Sequence, residues 1–412
     1  MRRVGSALCI IILTSCTHMS ATSSLPATSQ RAASSEASFQ VLHIFSKQRD
    51  GIVPAGSLLA VNGTLYGTTN FGGVPSKQCY PATACGTVYE LKPPSDQTVL
   101  YRFQGAKDGT RPYSGLINVG GTLYGTTQAG GKRNEGTVFA ITTSGLEHVV
   151  FSFEGKNGDD PRANLMRFKG ALYGTTYNGG ATGNGTVFSL TSSGTEKVLH
   201  SFAAGGTDGS LPLGALIKVN DVLYGTTSTG GTNDDGTVFA INPDGSHYSV
   251  LYSFQGGGDG AFPFSGLTKM SGTLYGTTQQ GGQRNKGTVF AITTSGSESV
   301  LHSFGNGADG SEPFAGLTVF NGQLYGSTAY GGSTKSGANP AHKFKPSSEG
   351  TIYTITPSGS EQVVHNFTGG PGGRVPYADL VTMNGALYGT TIWGGRNQGK
   401  RGGTGTLFRL VP

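Results

Sequence analysis

The sequence predicts an all-β fold: a seven-bladed β-propeller with four-stranded blades, its ring closed by the N-terminal strand completing the last blade. Three observations carry this. One phrase, written LYGTTQAGGKRNEGTVFAI at 123–141, recurs to the C-terminus, with the tyrosine of its LYGTT or LYGST core at Tyr66, Tyr124, Tyr173, Tyr224, Tyr275, Tyr325 and Tyr388. Successive intervals are 58, 49, 51, 51, 50 and 63 residues, so seven units of about 50 residues follow one another. Each unit splits into four short apolar runs, as in VLHSF, GLTVF, QLYGST and GTIYTI, separated by turn residues. That is strand patterning, and four strands in about 50 residues make one propeller blade. Finally, the array is out of phase with the termini: 40–45 (QVLHIF) is a lone outer-strand copy, and 405–410 (GTLFRL) is a third strand with no outer strand after it. The spare strand fits the vacant place, which removes two open sheet edges.

In chain order, 1–15 reads as a signal peptide: Arg2 and Arg3, an apolar stretch over 4–13, then LTSC. The stretch is too short to span a membrane as a mature helix. Residues 13–16 also match a bacterial lipobox, so Cys16 is expected to carry lipid and to become the mature N-terminus, with secretion the outcome if it does not. Residues 16–38 are rich in Ser, Ala and Thr and form a flexible tether. Residues 39–412 form one propeller, because rings grow by adding blades to a single domain.

Within each unit the second and third runs are preceded by NG, GG or SG pairs, the signals of tight antiparallel hairpins. The aromatic ending the VLHSF run recurs at Phe45, Phe103, Phe153, Phe202, Phe254, Phe304 and Phe367 and is expected to pack between blades, worth about 1.5 to 3 kcal/mol each if fully buried. The LYGTT glycine suits close approach of the next sheet. His43, His200, His302 and His365 share one outer-strand position with Tyr101, Phe151 and Tyr252, so they are structural substitutes and no converging triad. Asp50, Asp108, Asp208, Asp259 and Asp309 recur in DG turns, where bonds to backbone suffice and calcium is not required. No catalytic residue, metal site or cofactor is predicted.

The LYGTT, GG and GTVF phrases over about 39–412 resemble the Gloeo/Verruco (GloVer) tandem repeat of bacterial exported, variously anchored proteins, with a kelch-like propeller architecture. The resemblance implies a cell-surface or exported repeat protein and carries over no catalytic residue.

Formal net charge is +6, or +4 once Arg2 and Arg3 leave with the signal, and only 13% of residues are charged. No dense Lys/Arg stripe is present, which argues against nucleic acid as a partner. Of the four cysteines, Cys79 and Cys85 lie within the propeller. In an oxidising compartment they are expected to pair, closing a small loop worth about 2 kcal/mol; zinc would need a companion CxxC or a histidine pair.

Binding is sought where the repeats disagree. The loops between second and third strands are lengthened in units one, six and seven, at 74–84, 333–349 and 396–404. The residue before the GG pair is aromatic in the same three units: Phe71, Tyr330 and Trp393, the last the chain's single tryptophan. Ring closure makes these units neighbours, with Lys343 and Arg396 in their loops and Asp379 at the head of the seventh inner strand. Aromatic faces with polar and cationic neighbours suit a sugar. A separate set, Arg167, Lys218 and Lys269, holds the middle of three successive inner strands and would favour an anion if it lines the channel.

The function expected is a surface-anchored, non-enzymatic binding or scaffold module. Its partner is a glycan or other cell-surface polymer, or an envelope protein, and the chain is a monomer that meets the membrane only through its lipid. Two alternatives stand: a propeller enzyme, either a polysaccharide lyase or glycosidase or a quinone-dependent dehydrogenase, and a purely structural envelope protein.

Overall fold

The computed structural model describes residues 37–46, 49–73, 79, 85–203, 205–306, 308–333, 349–395 and 403–412. Cys16, Lys343 and Arg396 lie outside them, as do residues 1–15 and nearly all of the tether. The unit Ala37–Pro412 is compact in itself. It is a ring of seven antiparallel sheets, with one short 3-10 turn at Gly370–Gly372 the one helical element among the described residues.

Blade 1 is typical: an inner strand Leu59–Val61, then Thr64–Thr69, Thr87–Lys92 and an outer strand Asp96–Arg102, each hydrogen-bonded to the one before. Blade 7 takes Val381–Met383, Ala386–Trp393 and Thr406–Val411 from the C-terminus, and its outer strand is Ser38–Ile44, paired antiparallel from Ser38 against Val411 to Ile44 against Thr406. The N-terminal strand therefore closes the ring. The first hairpin of each blade turns on positive φ; in blade 1 these are Asn62 (49°) and Gly63 (78°), the left-handed pair a type I′ turn needs.

The core is a series of seams between blades. Phe103 of blade 1 meets Phe139 of blade 2 edge to face, ring centroids 5.1 Å apart, and Phe153–Phe188, Phe202–Phe239 and Phe254–Phe290 repeat the contact. All these rings are fully buried. The glycine of LYGTT has a different neighbour from the one its sequence suggested. A Cβ on Gly125 would stand 2.7 Å from Cζ of Phe139, its cross-strand partner within the same blade. The missing side chain thus seats the blade's own aromatic, which then reaches the neighbouring blade.

The two threonines of LYGTT divide the polar work. In five blades the first clips one blade to the next, as Thr68 Oγ1 donates to Ser114 O (2.9 Å), Thr226 to Ser265 O (2.8 Å), and Thr390 to Pro54 O across the ring closure (2.9 Å), while Thr175 and Ser327 at the same position in blades 3 and 6 have no protein partner among the described residues. The second ties strands within a blade, as Thr127 Oγ1 lies 2.7 Å from Thr137 Oγ1. All are buried, where an unpaired hydroxyl would be costly.

Candidate functional site

The connection into each inner strand runs beside the end of that blade's second strand. Backbone bridges join Ile52 to Phe71, Ser311 to Tyr330 and Arg374 to Trp393 at equivalent positions. The three aromatics therefore share one face, and ring closure puts blades 6, 7 and 1 side by side. Tyr330 is 42% exposed, while Phe71 and Trp393 are half-buried. Cys79 and Cys85, within the loop that follows Phe71, are joined by a disulfide with Cα atoms 5.1 Å apart.

On the same face a second feature surrounds the axis. The residue before the connection's proline has left-handed backbone in all seven blades: Val53, Arg111, Asp160, Leu211, Phe262, Glu312 and Val375, φ 55 to 59°. Such backbone is strained for branched or bulky side chains and persists only when its surroundings hold it. Here they do, from both sides. Val375 N donates to Glu349 O of blade 6, and the equivalent bond recurs at every seam, as Arg111 N to Cys85 O and Val53 N to Thr404 O. The residue after each proline then faces a shared cavity. Those residues read Ala55, Tyr113, Arg162, Leu213, Phe264, Phe314 and Tyr377 around the ring, and all seven line one cavity of about 70 Å³ together with Ser57, Asn164 and Asp379.

Asp379 is set deep in this cavity, with part of its surface open to it. Its Oδ1 accepts the backbone N–H of Gly316 in blade 6 at 2.6 Å. Burial raises its pKa, against the donors Gly316 N–H and Ser57. Trp393 is not among the residues lining this cavity, which Asp379 shares with the axial aromatics. Arg167, Lys218 and Lys269 are exposed on the inner strands just beyond and do not line the cavity; Lys218 Nζ lies 4.9 Å over the Phe168 ring of the preceding blade.

The histidines have partners that the repeat comparison missed. His43 Nε2 lies 2.5 Å from Asp50 Oδ2, and His200 and His302 lie 3.1 Å from Asp208 and Asp309. Tyr101 and Tyr252 donate to Asp108 and Asp259 in the same way. The DG aspartates also accept backbone N–H groups, such as Gln104 N on Asp108 at 2.8 Å. Burial would raise Asp50, but the bonds from His43 and Ser46 outweigh it and hold its carboxyl low. The signal was available as a spacing of seven or eight residues between each His or Tyr and its Asp. His365 has no such aspartate in its connection; it stacks on Phe39 at 3.8 Å, and burial pushes its pKa down to about 4.

Across the ring, the outer edge of blade 4 bears an open cleft of about 480 Å³ lined by Thr207, Asp208, Thr232, Tyr248 and Tyr252 among others. Tyr248 takes the place of the glutamate found in blades 2, 3, 5 and 6, stacks on His200 at 3.6 Å and donates to Asp208.

The profile described as the Gloeobacter/Verrucomicrobia repeat matches residues 27–225 and 203–408, which is nearly the whole chain. No curated protein matches. Among solved structures, the extracellular domain of BT4673 from B. thetaiotaomicron is similar at a TM-score of 0.56 and 10% identity, over 90% of this chain and 40% of that one. An oligogalacturonate lyase in complex with manganese is similar at a TM-score of 0.50 and 11% identity, over 91% and 96%. At such identities the likeness is one of fold. Among the described residues no helix is long and apolar enough to cross a membrane.

Proposed function

The chain belongs to the Gloeobacter/Verrucomicrobia repeat family, and from that premise we propose that it is a surface-anchored, non-enzymatic binding module for a glycan or other cell-surface polymer. The observation that carries the reading is the rim of Phe71, Tyr330 and Trp393 on three adjoining blades. Rings on three adjoining blades along one face offer successive stacking platforms to the CH faces of a linear sugar chain. Three outer-strand histidines, His43, His200 and His302, are each hydrogen-bonded to a DG-turn aspartate, away from the axis.

The test is a glycan and cell-wall polymer array probed with the Ala37–Pro412 unit, which contains all seven blades. Binding by the wild type and its loss, by tenfold or more, in Trp393→Ala is the expected result. Binding that survives this substitution moves the site to the blade 4 cleft, and absence of binding by the folded wild type favours the structural reading. Turnover of a bound polymer would favour the lyase or glycosidase reading.

Anchoring rests on LTSC after the apolar stretch 4–13. Multiple acyl chains hold a protein durably where one is marginal. A clickable fatty acid is expected to label the wild type and not Cys16→Ser; label persisting in the variant rules the anchor out.

A further inference from the structure

We propose that the axial cavity is a binding site for a small organic ammonium group, with Asp379 as its counter-ion. The site is separate from the aromatic rim and stands or falls independently of it.

The first step is that the fold does not need a charge at this position. Asn164 occupies the equivalent place in blade 3, and its Oδ1 accepts Gly115 N of blade 2 at 2.6 Å, the same bond at the same length that Asp379 makes to Gly316 N. An amide therefore does the structural work without a buried charge, whereas a buried carboxylate must be compensated by a partner or given up as the neutral acid.

The second step is that the protein supplies no cation to it. Arg162 is the one cationic side chain among the residues lining the cavity, and its guanidinium is already taken. Its Nε and Nη2 donate to Asp160 Oδ2 at 3.0 and 2.5 Å, and its Cζ lies 4.2 Å over the Tyr177 ring. Asp379 is met by a backbone N–H and the Ser57 hydroxyl, both neutral donors.

The walls then select the kind of cation. Phe264, Phe314, Tyr377 and Tyr113 form an unbroken arc: Phe264 meets Phe314 at 5.3 Å, Phe314 stacks on Tyr377 at 5.0 Å, and Tyr377 meets Tyr113 at 5.9 Å across the small Ala55 of blade 1. Aromatic rings that line one cavity with a carboxylate favour an ammonium or alkylammonium group there, which can meet a ring face and the carboxylate together. They suit a calcium ion poorly, since it takes six to eight oxygen ligands. A volume of about 70 Å³ admits a methylammonium-sized group and falls below the roughly 300 Å³ at which drug-sized ligand pockets begin. The occupant is thus a free small amine or one amino group projecting from a larger molecule.

The test is ligand-observed NMR titration of the full chain with methylammonium chloride, with Asp379→Asn and Asn164→Asp beside it. Saturable binding by the wild type, weakened about tenfold in Asp379→Asn, is expected. That variant is expected to fold, because Asn164 already makes the same bond. Should it not fold, Asn164→Asp decides: a second carboxylate in the cavity tightens methylammonium binding severalfold, and unchanged affinity overturns the proposal. No saturable binding by the folded wild type, equal binding by Asp379→Asn, or displacement by potassium chloride at equal concentration also overturns it. Glucosamine competing with methylammonium assigns the site to amines carried on sugars; its failure to compete, with methylammonium bound, assigns it to free amines.

Discussion

Glu298 begins the outer strand of blade 5, half-buried against Tyr252 and Asp259 of the preceding seam, with its Oε1 buried and without a protein partner. Burial first, and then the nearby Asp259 charge, push its pKa up to about 7, opposed by the neighbouring Tyr252 hydroxyl. Glu147 and Glu361 repeat this at two other seams, beside Asp108 and Asp309. The folded state therefore holds these protons at a pH where the unfolded chain, near 4.5, has lost them. Stability is lost as pH rises through about 7 and is fully present, for these groups, below about 4.5. His365, lowered to about 4, works in the opposite sense between that value and 6.5. Glu298→Gln keeps the shape and removes one titration, so its unfolding free energy between pH 5 and 8 is expected to fall less steeply than that of the wild type. Urea unfolding at the two pH values measures this, and parallel slopes in both proteins would refute it. None of these glutamates could be singled out from sequence, since the pairing of each with an aspartate 39 residues earlier (Glu147, Glu298) or 52 residues earlier (Glu361) exists only once blades stand side by side.

At the scale of the strand, what was legible followed from short-range physics. Alternating apolar runs, left-handed Asn-Gly pairs and the lone strand at 40–45 depend on neighbours in the chain, and the ladders form as they require. What was not legible depends on register. Gly125 faces Phe139 because the second and third strands align them, so its role as a seat within the blade followed from the ladder and not from the glycine. The axial ring was hidden for a related reason. Its members, Ala55 to Tyr377, enter one per blade and vary freely, so no stretch of sequence resembles a site. Insertions and the residue before GG drew attention to the rim, while the residue after each proline went unread. Lining up the seven prolines and following the left-handed backbone before them would have found it.

For the whole molecule, closure is the step on which both candidate sites depend. The rim needs blades 6, 7 and 1 in contact, and the axial ring needs Tyr377 of blade 7 to reach Tyr113 across Ala55. One strand, Ser38–Ile44, holds this together. Besides its ladder with Thr406–Val411, it sends Phe39 onto His365 of blade 6, and Phe45 just beyond it packs on Tyr89 of blade 1, so it fills two seams as well as one edge. Removing it exposes an unpaired edge of apolar strand, the usual template for pairing with another copy. A chain beginning at Ser46 is therefore expected to self-associate in size-exclusion chromatography with light scattering, where the Ala37–Pro412 unit is expected to run as a monomer. Adding the separate peptide 37–46 should return it to a monomer and raise its melting temperature with peptide concentration, because a partner that binds only the folded ring stabilises it by mass action. A truncated chain that stays monomeric, melts with the parent and ignores the peptide would mean that the six complete blades and three strands of the seventh hold the ring without the N-terminal strand.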